Sequence, residues 1–165
     1  MTLGSELGQV SAECLRLLDR LELTLATAES CTGGMVAAAL TDHPGASRVL
    51  SRGFVVYSDE AKEQMLGVPR SVLSACGAVS EEVALAMVAG ALAKAPVDLA
   101  VAVTGIAGPD GATATKPVGL VHIAAGQRGD RACHERLQLA GSRQAVRERS
   151  AVCALRLLMQ AAVRS

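Results

Sequence analysis

Residues 98–111 read D-L-A-V-A-V-T-G-I-A-G-P-D-G, and the fold is decided here. Positions 99–103 form a near-continuous apolar run of strand length, the pattern of a strand buried on both faces of a sheet. A loop rich in Gly, Pro and Thr follows over residues 105–117. It leaves the carboxyl end of the strand, which is where α/β sheets bind ligands. Gly105, Gly108 and Gly111 fall within seven residues and can build a nest of N–H groups for a phosphate or an oxyanion. A plain connection is the alternative, but a long structureless loop in a compact domain is more often functional.

Working outward, helix and strand signals alternate. Upstream, Ser80 is placed to cap a helix over 80–94, with Glu81 and Glu82 complementing its N-terminal dipole and Pro96 beyond its end. Gly67-Val68-Pro69 separates helices expected at 59–66 and 70–76, and a β-rich run, Phe54-Val55-Val56-Tyr57, closes a segment over 49–57. An apolar helical stretch at 35–40 stops before His43-Pro44-Gly45, preceded by a strand at 24–28 and a tight turn at 29–34. Val10, Cys14, Leu17, Leu18 and Leu21 give residues 7–23 the spacing of an amphipathic helix. Downstream, strands at 118–125 and 133–140 flank a turn at 126–130, and a helix runs over 142–163. The order predicts an α/β fold: a three-layer α/β/α sandwich with a mixed sheet, one domain over residues 1–165.

Half of the residues are hydrophobic and 19% are charged, a balance that supports a core. Positive and negative charges cancel, and Phe54 and Tyr57 are the only aromatics. A single-strand-binding surface needs rows of stacking rings and a basic field, so direct nucleic-acid binding is not expected. No apolar run reaches membrane-spanning length and residues 1–10 lack a signal-peptide pattern, so no membrane partner is expected and the chain reads as cytoplasmic. The five cysteines are scattered without a C-x-x-C pair, as small buried hydrophobes of a reducing compartment are. His43, His122 and His134 have no metal-ligand spacing, so no metal and no cofactor is expected.

Two further segments can carry chemistry. Ser30 lies in A-E-S-C-T-G-G at a strand-to-helix turn, where glycines permit close backbone approach and the next helix would point its N–H groups at a ligand. Its hydroxyl is a nucleophile in an elbow-like setting or, alternatively, a helix cap. Cys31 beside it is a rival nucleophile. Lys62 lies in Y-S-D-E-A-K; with Asp59 as the N-cap it falls at N3, where the helix dipole lowers a lysine pKa toward that of a general base. A solvated surface lysine is the alternative. Tyr57 closes the preceding strand and can face the same cleft. Arg143 and Arg147 are one turn apart on the last helix, either clamping a phosphate or forming a solvated face.

Six stretches taken together resemble the CinA C-terminal domain family, the nicotinamide-nucleotide amidases. They are T-A-E-S-C-T-G-G (27–34), R-G-F-V-V-Y-S-D-E-A-K (52–62), G-A-V-S-E-E-V (77–83), A-V-T-G-I-A-G-P-D-G (102–111), K-P-V-G (116–119) and V-R-E-R (146–149). The resemblance implies hydrolysis of the carboxamide of nicotinamide mononucleotide, in pyridine-nucleotide recycling. By position, Ser30 would be the nucleophile and Lys62 its base, with the hydroxyls of Tyr57 and Thr104 relaying protons or orienting the lysine. Backbone around Cys31, Thr32, Gly33 and Gly34, or around Gly105 and Gly108, would hold the oxyanion, and Arg143 with the glycine loop the 5′-phosphate. A homodimer is implied as well, consistent with the high apolar fraction. Three positions depart from the family pattern: Asp59 stands where Asn is usual, Ala112 where G-G-T has its second glycine, and Ser142 where G-D-R has Asp. The larger N-terminal domain of full-length members has no counterpart in this sequence. The competing readings are a catalytically silent nucleotide-binding or competence and DNA-damage accessory domain, and an amidase for another small carboxamide.

Overall fold

The computed structural model describes residues 3–164; Met1, Thr2 and Ser165, part of the expected domain, lie outside the described residues. Its elements are α1 (Leu3–Arg20), β1 (Leu25–Glu29), α2 (Met35–Thr41), β2 (Leu50–Val55), α3 (Asp59–Leu66), α4 (Arg70–Cys76), α5 (Glu81–Lys94), β3 (Leu99–Gly105), β4 (Leu120–Gln127), β5 (Cys133–Gln138) and α6 (Arg143–Ala162). The sheet order is β2-β1-β3-β4-β5. β1 runs parallel to both β2 and β3, whereas β3, β4 and β5 are antiparallel neighbours. The expected mixed sheet between two helical layers is what the chain forms.

The two faces of the sheet differ in residue size. Leu25, Leu99, Val101, Val103, Val121 and Ile123 point into a core shared with α1, α2 and α6. Ala26, Ala28, Ala100, Ala102 and Ala124 point the other way, against α5 and its neighbours. Side chains alternate across a strand, so the V-A-V-A pattern of β3 writes a large face and a small face directly. An all-alanine face lets α5 lie close to the sheet, and α5 in turn packs on α3. At that contact Gly90 meets Leu66: a Cβ on Gly90 would overlap the Leu66 carbonyl oxygen and stand 2.9 Å from its Cβ.

Several boundaries differ from the sequence reading for local reasons. The first helix ends at Arg20 because Glu22 turns left-handed (φ 56°), and the N–H of Leu23 closes back on the Leu18 carbonyl at 2.9 Å. β4 starts at Leu120, since residues 117–119 form a turn in which Gly119 has φ 89°. β2 ends at Val55, so Tyr57 lies beyond the strand.

Gly90→Ala should destabilise the chain by about 1–3 kcal/mol through overpacking, despite the better helix propensity of alanine. A urea midpoint equal to wild type would show that α3 can retreat from α5 without cost.

Candidate active site

The turn after β1 is built from both sides by charged groups. Ser30 is tied to β3 through its N–H on the Val103 carbonyl (2.9 Å), and its own carbonyl accepts from the Gly33 N–H at 3.0 Å. Gly33 (φ 59°) and Gly34 (φ 96°) then take left-handed conformations that other residues resist. Ser30 does not cap α2, whose N-cap is Gly34 with no side-chain bond. The buried Glu29 carboxylate does so instead, accepting from the N–H groups of Gly34 (3.1 Å), Val36 (3.0 Å) and Ala37 (3.0 Å). The expectation that these N–H groups face a ligand is therefore corrected: they are already bonded. From α6, Arg147 Nε donates to the Cys31 carbonyl at 3.1 Å and Nη2 to the Thr32 carbonyl at 3.0 Å. Arg147 is thus neither a free phosphate clamp nor a solvated charge.

Lys62 is 1% exposed, the largest fully buried side chain among the described residues. The N-cap of α3 is Ser58, whose hydroxyl accepts from the Ala61 N–H, so Asp59 is the first helical residue and Lys62 the fourth. The dipole argument weakens accordingly, because the effect fades beyond the first turn. Burial does the work in its place. It pushes the Lys62 pKa below the ordinary 10.5, while the Asp59 charge, and less so Cys31, push it back up. The amine nitrogen lies 3.1 Å from Ser30 Oγ, 3.0 Å from the Val56 carbonyl and 3.4 Å from the Tyr57 carbonyl. A neutral amine has two N–H donors and one lone pair; with the donors on the two carbonyls, the lone pair faces the serine hydroxyl. Cys31 is a poor rival, since burial drives its thiol up to about 11.

Ser30, Cys31, Tyr57, Lys62, Thr104, Gly105, Gly108 and Arg143 all line one cavity of about 230 Å³. Thr32, Gly33 and Gly34 are not among its lining residues; they form the turn behind Ser30, where Thr32 Oγ1 is buried without a hydrogen-bond partner. Thr104 donates its hydroxyl to the Ala78 carbonyl at 2.8 Å, so it anchors the loop ahead of α5 rather than the lysine. The lysine reaches the backbone carbonyl of Tyr57; the phenol, 60% exposed, accepts instead from Arg143 Nη2 at 2.9 Å. Arg143 Nη1 also donates to the Gly108 carbonyl at 2.9 Å. The arginine and tyrosine therefore bridge the mouth of the cavity.

Sequence reasoning missed Glu29, the structural part of Arg147, and the wall formed by Ala78 and Val79. One signal was available: Glu29 is a lone charge in a strand whose five residues are all buried. The histidines also meet where spacing gave no hint. His122 Nδ1 and His134 Nε2 are 2.8 Å apart across β4 and β5, and burial lowers the His122 pKa. Among the described residues no group of three or more His, Cys, Asp or Glu side chains is arranged to hold a metal ion. Among the described residues no helix is long and apolar enough to cross a membrane.

Comparison with known proteins places this geometry among relatives. The model of the CinA C-terminal domain matches residues 7–162. An Escherichia coli protein named nicotinamide-nucleotide amidohydrolase PncC is 46% identical over 156 residues, covering 94% of each chain. A competence-damage inducible protein of Symbiobacterium thermophilum is 54% identical over 151 residues, and the chain spans only 35% of that protein's length. The crystal structure of the competence/damage inducible protein CihA from Agrobacterium tumefaciens superposes with a TM-score of 0.92 at 42% identity, covering 94% of both chains.

Burial of Lys62 sets a pH dependence of stability. Its folded pKa is below the unfolded value, so between the two the unfolded chain binds the extra proton. Native stability therefore falls as pH drops from about 10.5 toward the folded pKa and levels off below it. Lys62→Met lacks this penalty, and its stability relative to wild type should grow over the same descending window in urea titrations. A difference independent of pH would mean that the amine stays charged in the folded protein.

Proposed function

The chain belongs to the CinA C-terminal domain family, and from that premise we propose that it is an amidohydrolase of nicotinamide mononucleotide. The observation that carries the reading is the buried contact of Lys62 Nζ with Ser30 Oγ at 3.1 Å. Similarity to a protein named nicotinamide-nucleotide amidohydrolase over 94% of each chain supports the substrate class. A serine hydroxyl is a weak nucleophile until a base takes its proton, and a desolvated lysine does this without histidine or metal.

In this mechanism Ser30 Oγ attacks the carboxamide carbon as its proton passes to Lys62. The tetrahedral oxyanion is met by backbone N–H groups of the glycine loop, whose Ala107 and Gly108 line the cavity; one such donor is worth about 3 kcal/mol. Lys62 then protonates the leaving nitrogen, ammonia departs and a nicotinoyl ester remains on Ser30. Water, deprotonated by Lys62, attacks the ester and releases nicotinate mononucleotide. Arg143, at the cavity mouth, receives the 5′-phosphate by exchanging its bonds to Tyr57 and Gly108 for charge-assisted ones. Tyr57 and Thr104 shape the site, the first through its carbonyl on Lys62 and the second through the Ala78 loop. Metal independence, residence in the cytoplasm, a homodimer and the absence of a nucleic-acid partner complete the reading.

Purified protein should release ammonia from nicotinamide mononucleotide with chelator present. Ser30→Ala and Lys62→Met should each lower kcat by roughly 10³-fold or more while remaining folded. In the same assay Arg143→Gln should raise KM for the mononucleotide about tenfold and leave turnover of the riboside unchanged. No release by folded wild type would favour the silent nucleotide-binding domain, and equal use of the riboside would remove the phosphate contact. Light scattering should give about twice the 16.8 kDa chain mass; a monomer mass would overturn the homodimer.

A further inference from the structure

We propose that Glu29 and Arg147 are positioning residues for Ser30, a pair of opposite charges that grips the nucleophile turn by its donors and its acceptors. The proposal rests on the serine-lysine reading above. Outside its turn Ser30 is held by two bonds, from its N–H to the Val103 carbonyl and from its Oγ to Lys62 Nζ. The turn that carries its backbone away from β1 runs through residues 31–37. On that segment three N–H groups go to Glu29, at 3.0–3.1 Å. Two successive carbonyls, of Cys31 and Thr32, go to the guanidinium of Arg147, at 3.1 and 3.0 Å. Each group suits its task. An ionised carboxylate only accepts, with about four lone-pair sites, and a guanidinium only donates, in a planar fork that fits two neighbouring carbonyls.

The placement argues for more than stability. Glu29 is 1% exposed and sits immediately before Ser30, so its carboxylate reaches over the turn to the start of α2. Arg147 comes from the far end of the chain and binds the two residues immediately after Ser30. Nucleophile geometry is therefore set by a carboxylate on one side and a guanidinium on the other, and neither side chain lines the cavity. Glutamine at 29 has one accepting oxygen and turns an NH2 toward N–H donors. Lysine at 147 keeps the charge but has a single head for two carbonyls. Either change lets the turn relax, and a shift of about 1 Å at a reacting group costs on the order of 10²-fold in rate.

The test uses two readouts on wild type, Glu29→Gln and Arg147→Lys: steady-state ammonia release from nicotinamide mononucleotide, and the rate at which a serine-directed fluorophosphonate labels Ser30. The expected result is a fall in kcat of about 10²-fold with KM within about threefold, and a comparable fall in labelling rate. The acid limb of the pH–rate profile should stay in place, because geometry rather than the charge on Lys62 has changed. Should Glu29→Gln fail to fold, Arg147→Ala assayed with and without millimolar guanidinium chloride serves in its place, with partial recovery of labelling expected on addition. Folded variants that label at the wild-type rate overturn the proposal, as does a loss confined to KM. Labelling of wild type without turnover of the mononucleotide would overturn the substrate assignment alone, leaving the labelling comparison to decide on the clamp. Absence of both labelling and turnover in wild type would overturn the nucleophile and the clamp together.

Discussion

The structure depends on keeping one amine out of water. Lys62 has a four-carbon stem and a head that prefers solvent, yet its side chain is buried, the amine reaching residues just beyond β1 and β2. Such a group survives in a core only if it sheds its proton or is fully hydrogen-bonded. Here the Val56 and Tyr57 carbonyls and the Ser30 hydroxyl meet it. The alanine face of the sheet allows α5 to come close, and the absence of a side chain at Gly90 allows α3 to lie on α5. The burial that depresses the lysine pKa is thus a packing result, reached through small residues remote from the reacting atoms.

A second constraint works on the serine. Strand-to-helix turns in α/β proteins ordinarily leave helix N–H groups open, and anions gather there. In this chain a glutamate fills that position, so the positive end of α2 is neutralised from within. The guanidinium that lines the cavity is that of Arg143, bonded to the Gly108 carbonyl and the Tyr57 hydroxyl. In the proposed mechanism the nucleophile and its base lie at the β1 turn and α3, and Arg143 on α6 meets the remainder of the substrate.

Much of the fold was legible because it is written in spacing. The apolar run at 99–103 announced a buried strand, and its alternation of valine and alanine already contained the two unequal faces. Ser30, Lys62 and the glycine loop were legible as candidates from turn chemistry and position, and only the resemblance paired the serine with the lysine. Their proximity is a tertiary fact that crosses 32 residues from Ser30 to Lys62 and 116 from Cys31 to Arg147. Local rules misplaced the cap of α3 by one residue, since Ser58 and Asp59 are both good caps and only the observed bond to Ala61 separates them. The resemblance attached chemistry to the Tyr57 hydroxyl, whereas the carbonyl is the atom on the lysine and the phenol is bonded to Arg143. No spacing rule could find the His122–His134 contact, which exists only through the register of β4 on β5.

The scarcity of aromatic rings has an optical meaning. With no tryptophan and a single tyrosine in the sequence, ultraviolet emission excited at wavelengths beyond the absorption of Phe54 arises from one phenol at the rim of the cavity, hydrogen-bonded to an arginine. Any molecule that enters and draws the arginine away changes the surroundings of that one fluorophore. The protein thereby carries its own spectroscopic reporter, free of background from the core, at the place where occupancy would be read.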